Sequence, residues 1–129
     1  MTNELVASMP FAEQLGVEIV RAEKTIVEGR LRVRDDLCTL GNTLHGGAVM
    51  ALADSMAAVA AFLNLPEGAS GTTTIESKTN FLRPAAAGTT VIAKTTPIKV
   101  GSRLSVWTTT ILTEQGKAVA VVTQTQLVL

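Results

Sequence analysis

The chain has 129 residues, 47% hydrophobic and 3% aromatic, with eleven Lys or Arg offset by eleven Asp or Glu. That length suits one domain, residues 1–129, with a core of its own. Zero formal net charge excludes the basic footprint that nucleic acid requires, and one Trp with no Tyr excludes base-stacking platforms. The single Cys38 excludes an internal disulfide framework and a cysteine metal cluster, and it suits a reducing, cytoplasmic setting.

Met1-Thr2-Asn3-Glu4-Leu5 lacks a basic segment followed by an apolar run, so no signal peptide is expected. Residues up to about Leu15 read as a short helix with Pro10 near its start. Val17 to Glu23 and Ile26 to Arg34 read as strands. In the second, Val27, Gly29, Leu31 and Val33 alternate with Glu28, Arg30, Arg32 and Arg34, which predicts one wet face. Asp35 to Leu44 reads as a loop. Helical character runs from near His45 to about Leu63 and closes at Pro66-Glu67-Gly68. Four strands follow: Gly71 to Leu82, Thr90 to Val100, Arg103 to Thr113 and Lys117 to Leu129. Pro84, Gly88, Gly101-Ser102 and Glu114 to Lys117 mark the connections.

From Ala48 to Leu63 only Asp54 and Ser55 are polar. This run is interrupted, and it falls short of the roughly 20 residues that span a bilayer. No membrane partner is expected. A helix apolar nearly all round must be covered on most sides. The strands lack intervening helices, so antiparallel pairing is favoured. Both demands are met by an α+β fold in which a curved antiparallel sheet wraps one long central helix.

The unusual residues cluster at the start of that helix. His45 is the only histidine, Gly46-Gly47 fall in the first turn, and Asp54 is the one carboxylate of an apolar run. Backbone N–H groups in a first turn have no intrahelical partner, and glycine lets a ligand approach them. Such donors can polarise a carbonyl oxygen; a close packing contact with another strand is the other use of two glycines. A buried, unpaired carboxylate at Asp54 would suit a general base or nucleophile. A solvated helix position or an ion pair would be the plain alternative. His45 suits a structural hydrogen bond as well as a site. No nucleophile elbow accompanies it, and no second His, so neither a catalytic triad nor a metal site is indicated. Asn42 suits a helix cap.

Eight residues of helix rise by about 12 Å, so Gly46 and Asp54 of one chain cannot reach one reacting carbon. If both act on one substrate, two chains must meet across a two-fold axis and form two composite sites.

His45-Gly46-Gly47 followed by Leu52-Ala53-Asp54 resembles the hotdog-fold acyl-CoA thioesterases of the phenylacetate-degradation type. Asn80 to Ala85 and Val100 to Arg103 extend the resemblance, which runs from about Leu15 to the C-terminus. It implies a hotdog fold, dimers often paired into tetramers, and hydrolysis of an acyl-CoA to a free acid and CoA. The acyl group would be small, medium-chain or aromatic, and no metal or separate cofactor is implied.

On that resemblance, the Gly46 N–H polarises the thioester carbonyl. Asp54 of the partner chain attacks it or activates a water, and His45 shapes the site. Thr74 lies near the acyl group or the water. Phe81, Leu82 and Arg83, with Lys99, Val100, Gly101, Ser102 and Arg103, hold coenzyme A. The charges of Arg83, Lys99 and Arg103 suit phosphate. The family's usual Gln or Asn six residues before the His is Thr39 here, and Asn42 is a candidate for that amide's role. Two other classes stay open: a non-catalytic acyl-CoA-binding module on the same fold, and a hydratase acting on enoyl thioesters.

Overall fold

A computed structural model describes residues 2–129. In chain order it contains α1 (Thr2–Ala7), α2 (Pro10–Leu15), β1 (Glu18–Glu23), β2 (Ile26–Arg32), a 3-10 turn (Asp35–Leu37), β3 (Cys38–Thr39), β4 (Thr43–Leu44), α3 (Gly46–Leu63), β5 (Thr72–Phe81), β6 (Thr90–Val100), β7 (Leu104–Thr113) and β8 (Ala118–Val128). Six strands form one antiparallel sheet in the order β1-β2-β6-β7-β8-β5. The two-residue strands β3 and β4 pair only with each other.

The α3 helix touches all six strands of the sheet. Leu52 and Met56 on α3 are wholly buried, as are Val27, Leu31, Val91, Ile111 and Val122 on the strands; Trp107 is nearly so. The helix is long and apolar enough, by length and composition alone, to cross a membrane, with 18 residues and mean hydropathy 1.7. The wrapped sheet accounts for that apolarity: a helix lined by strands along its length has little face left for water. This is the expected α+β hotdog arrangement. The expected alternation in β2 also holds, with Val27, Gly29 and Leu31 buried and Arg30 and Arg32 exposed.

Three boundaries differ from the expectations. The N-terminal helix is two helices, because Pro10 has no N–H to carry α1 onward and instead opens α2. β2 stops at Arg32. Beyond it, Arg34 turns away and donates to Leu15 O and Gln14 O, capping the end of α2. The segment 35–44 is a turn followed by a small hairpin rather than an open loop.

The two edges of the sheet are treated differently. At β1, helix α1 packs against the strand and Asn3 Oδ1 accepts the Ile19 N–H at 3.0 Å. At β5, a ten-residue strand pairs only with β8, and its other edge has no partner among the described residues. A long open edge of this kind is a template for pairing with another chain.

Leu52 is wholly buried between helix and sheet. Leu52→Ala is expected to lower unfolding free energy by about 2–5 kcal/mol in denaturant titration. A loss under about 1 kcal/mol would contradict a core centred on α3.

Candidate active site

Two clusters lie on α3, and each faces one end of β5. The first is the helix start. His45 is the N-cap, in extended backbone at φ −60° and ψ 136°, and its Nδ1 accepts the Gly47 N–H at 2.8 Å. Nδ1 is therefore the accepting nitrogen of the cap. A Cβ on Gly47 would sit 3.0 Å from that Nδ1, so glycine there makes room for the cap.

The Gly46 N–H has no hydrogen-bond partner among the described residues. A Cβ on Gly46 would lie 3.2 Å from Phe81 Cε1, so the glycine also admits the Phe81 ring. The close packing contact with another strand is therefore present at Gly46, against Phe81 of β5, while Gly47 makes room for the His45 ring and the Gly46 N–H stays without a partner. Beside it lies a cleft of about 350 Å³ lined by Val49, Phe81, Leu82, Arg83 and Val119.

Asn42 is not the cap. It has φ +56° in the β3–β4 turn, and its carbonyl accepts the Ala87 N–H. A left-handed turn position suits Asn, and the cap position goes to the residue directly before the helix. Thr39, exposed in β3 and paired with Thr43, brings no amide.

The second cluster surrounds Asp54, two turns further along α3. Of the two readings open for Asp54, the single chain shows the solvated one: the residue is exposed, and its carboxylate is hydrogen-bonded rather than lone. Its Oδ1 accepts the Thr74 hydroxyl at 2.7 Å and the Gln124 amide at 3.1 Å. Gln124 Nε2 also donates to Ser77 Oγ, and Gln126 Nε2 donates to Thr74 Oγ1 at 2.7 Å. Asp54 Oδ2 accepts from no described residue. The structure thus sets Thr74 against Asp54 of its own chain, a contact beyond the place near the acyl group or water that the resemblance implied. Ser77, Gln124 and Gln126 were missed. The signal for the glutamines is visible in retrospect: inward positions of β8 run Ala120, Val122, Gln124, Gln126, so two amides occupy the buried phase of an alternating strand.

A bulge makes the cluster possible. Residues three apart on a regular strand point to opposite faces. The β5–β8 register shifts between Thr74 and Glu76, so Thr74 lies opposite Gln126 while Ser77 lies opposite Gln124. Thr74 and Ser77 then share the face toward α3, a re-aiming typical of bulges beside sites.

The residues assigned to coenzyme A do not come together in one chain. Phe81, Leu82 and Arg83 stand beside Gly46. Lys99, Val100, Gly101, Ser102 and Arg103 form the β6–β7 hairpin at the other end of the sheet. There Val100 pairs with Ser105, Ser105 with Gln126, and Gln126 with Thr74. The hairpin thus lies on the Asp54 side. Among the described residues no carboxylate pairs with Arg83, Lys99 or Arg103, so these cations are available to an anion.

A long helix sheathed by a six-stranded antiparallel sheet defines a hotdog-fold protein. The Thioesterase superfamily profile matches residues 41–120. The crystal structure of a Haemophilus influenzae thioesterase superposes with TM-score 0.89 at 31% identity, covering 98% of this chain and 87% of that one. A mutant form of the phenylacetic acid degradation protein PaaI of Thermus thermophilus gives 0.84 at 30%, covering 93% and 99%. A 1,4-dihydroxy-2-naphthoyl-CoA thioesterase of Arabidopsis thaliana is 31% identical over 93 residues, 72% of this chain and 58% of that protein. The chain belongs to the Thioesterase superfamily and is a thioester hydrolase.

The His45 cap separates two roles of that residue. Asn accepts equally well at an N-cap, so His45→Asn is expected to keep stability, while His45→Ala is expected to lose about 1 kcal/mol in denaturant titration. Equal stability of the alanine variant and wild type would contradict the cap.

Proposed function

We propose that the protein hydrolyses acyl-CoA thioesters in a homodimer whose two sites each join the Gly46 end of one chain to the Asp54 end of the other. One observation carries this reading: a single unbroken helix holds an open N–H and a hydrogen-bonded carboxylate eight residues apart. The helix rise of about 12 Å keeps them from one reacting carbon within a chain. The unpaired edge of β5 supports the assembly. Gly46 lies by Phe81 and Asp54 by Thr74, at opposite ends of that strand. Antiparallel pairing of two β5 strands about an axis near Ser77 and Lys78 would set the Thr74 end of one against the Phe81 end of the other.

In such a site the Gly46 N–H donates to the thioester carbonyl oxygen as it gains negative charge, aided by the N-terminal end of the α3 dipole. Asp54 of the facing chain acts through its free Oδ2, either taking a proton from a water that attacks the carbonyl carbon or attacking that carbon itself; in both routes the C–S bond breaks and CoA leaves as its thiol, and in the second a water then hydrolyses the acyl anhydride and restores the carboxylate. Arg83 on one side and Lys99 and Arg103 on the other flank the substrate with unpaired cations suited to the CoA phosphates.

Thiol release from a panel of acyl-CoAs tests the roles. Asp54→Asn is expected to lower kcat by about 10²–10⁴-fold. Gly46→Pro removes the N–H at a helix position that tolerates proline, after a residue already extended, and sets a Cβ against Phe81. It is expected to lower kcat by about 10²–10³-fold, while Gly46→Ala, which sets the same Cβ against Phe81 but keeps the donor, is expected to lose much less; the difference between the two measures the N–H. Binding of the panel without thiol release would favour an acyl-CoA-binding module. Equal rates for Asp54→Asn and wild type would remove Asp54 from the reaction.

A further inference from the structure

We infer that Gln124 and Gln126 of β8 are positioning residues for the reaction: a two-amide clamp that fixes Asp54 Oδ1 and presents Oδ2 to the substrate. This inference rests on the role proposed for Asp54. Both glutamines are 1% exposed, yet they sit on the inner face of a strand whose neighbouring inward residues, Ala120 and Val122, are apolar. Buried amides are costly unless satisfied, and the way each is satisfied points to the carboxylate.

Gln126 heads a chain of donors. Thr72 Oγ1 donates to Gln126 Oε1 at 3.2 Å, Gln126 Nε2 to Thr74 Oγ1 at 2.7 Å, and Thr74 Oγ1 to Asp54 Oδ1 at 2.7 Å. Because the Thr74 oxygen accepts from Gln126, its own proton is directed at the carboxylate. All three bonds run one way and reinforce one another.

Gln124 closes the clamp from the side. Its Nε2 divides its two protons between Asp54 Oδ1 and Ser77 Oγ, each at 3.1 Å. Its Oε1 is buried with no partner. Turning the amide over would satisfy nothing better, since Oε1 would then face the Asp54 carboxylate; the carboxylate itself fixes the orientation. A buried carbonyl left without a donor lowers stability. Its retention beside a reacting group is the pattern of a local cost kept for function. With Oδ1 held by two donors and Oδ2 by none, the carboxylate has a defined face toward the cleft formed with Met50 and Ala51.

The structural and positioning roles predict opposite signs for Gln124→Met. The variant keeps the volume and removes the unpartnered carbonyl, so its thermal midpoint is expected to equal or exceed that of wild type. Its kcat for acyl-CoA hydrolysis is expected to fall about 10–100-fold with KM within about twofold, since a slight misplacement of a reacting group acts on the chemical step. Gln126→Met is expected to shift kcat the same way. A lowered midpoint with unchanged kcat would make Gln124 a structural residue and overturn the clamp.

Asp54→Asn, alone and combined with Gln124→Met, separates failure of the clamp from failure of the Asp54 role. If Gln124 acts only through Asp54, the double variant is as slow as Asp54→Asn alone. A further loss of about 10–100-fold in the double variant would overturn the clamp while leaving the Asp54 role standing. Full activity of Asp54→Asn would overturn both.

Discussion

An unbroken helix cannot bring two groups eight residues apart onto one atom, and α3 runs without a break from Gly46 to Leu63 with six strands packed along it. The rest of the molecule follows from that constraint. Asp54 is exposed on α3 where the helix meets β5, an edge strand without a second partner among the described residues. The open Gly46 donor and the held Asp54 carboxylate lie toward its two ends, which is why the proposed dimer pairs two β5 strands.

Several residues that look wasteful become intelligible in this light. Gly47 leaves room for the His45 ring to cap the helix; the cap accepts the Gly47 N–H and leaves the Gly46 N–H without a partner among the described residues. The bulge in β5 disrupts a ladder but aims Thr74 and Ser77 at the same face, where two amides from β8 meet them.

Much of this was legible in the sequence because it depends on periodicity and on single costly residues. The four C-terminal strands and α3 fall within a few residues of their predicted bounds, since Gly and Pro punctuation marks their ends. Asp54 and Gly46 stand out against an apolar run. The misses have a common cause. Asn42 and His45 both suit a cap, and only the backbone path decides between them. The exposure of Asp54 depends on how close β5 lies. Gln124 and Gln126 are ordinary residues for an exposed strand face, and their burial follows from the place of β8 inside the sheet, next to its edge. The bulge that completes the cluster has no glycine or proline to announce it.

The central claim is that each site draws its donor and its carboxylate from different chains. Mixing two inactive variants tests it directly: Gly46→Pro protein is unfolded, combined in equal amount with Asp54→Asn protein, and refolded. In a composite dimer, half of the molecules are mixed and each holds one intact site, so hydrolysis returns to about a quarter of the wild-type rate. A mixture that stays as inactive as its two components would contradict the account.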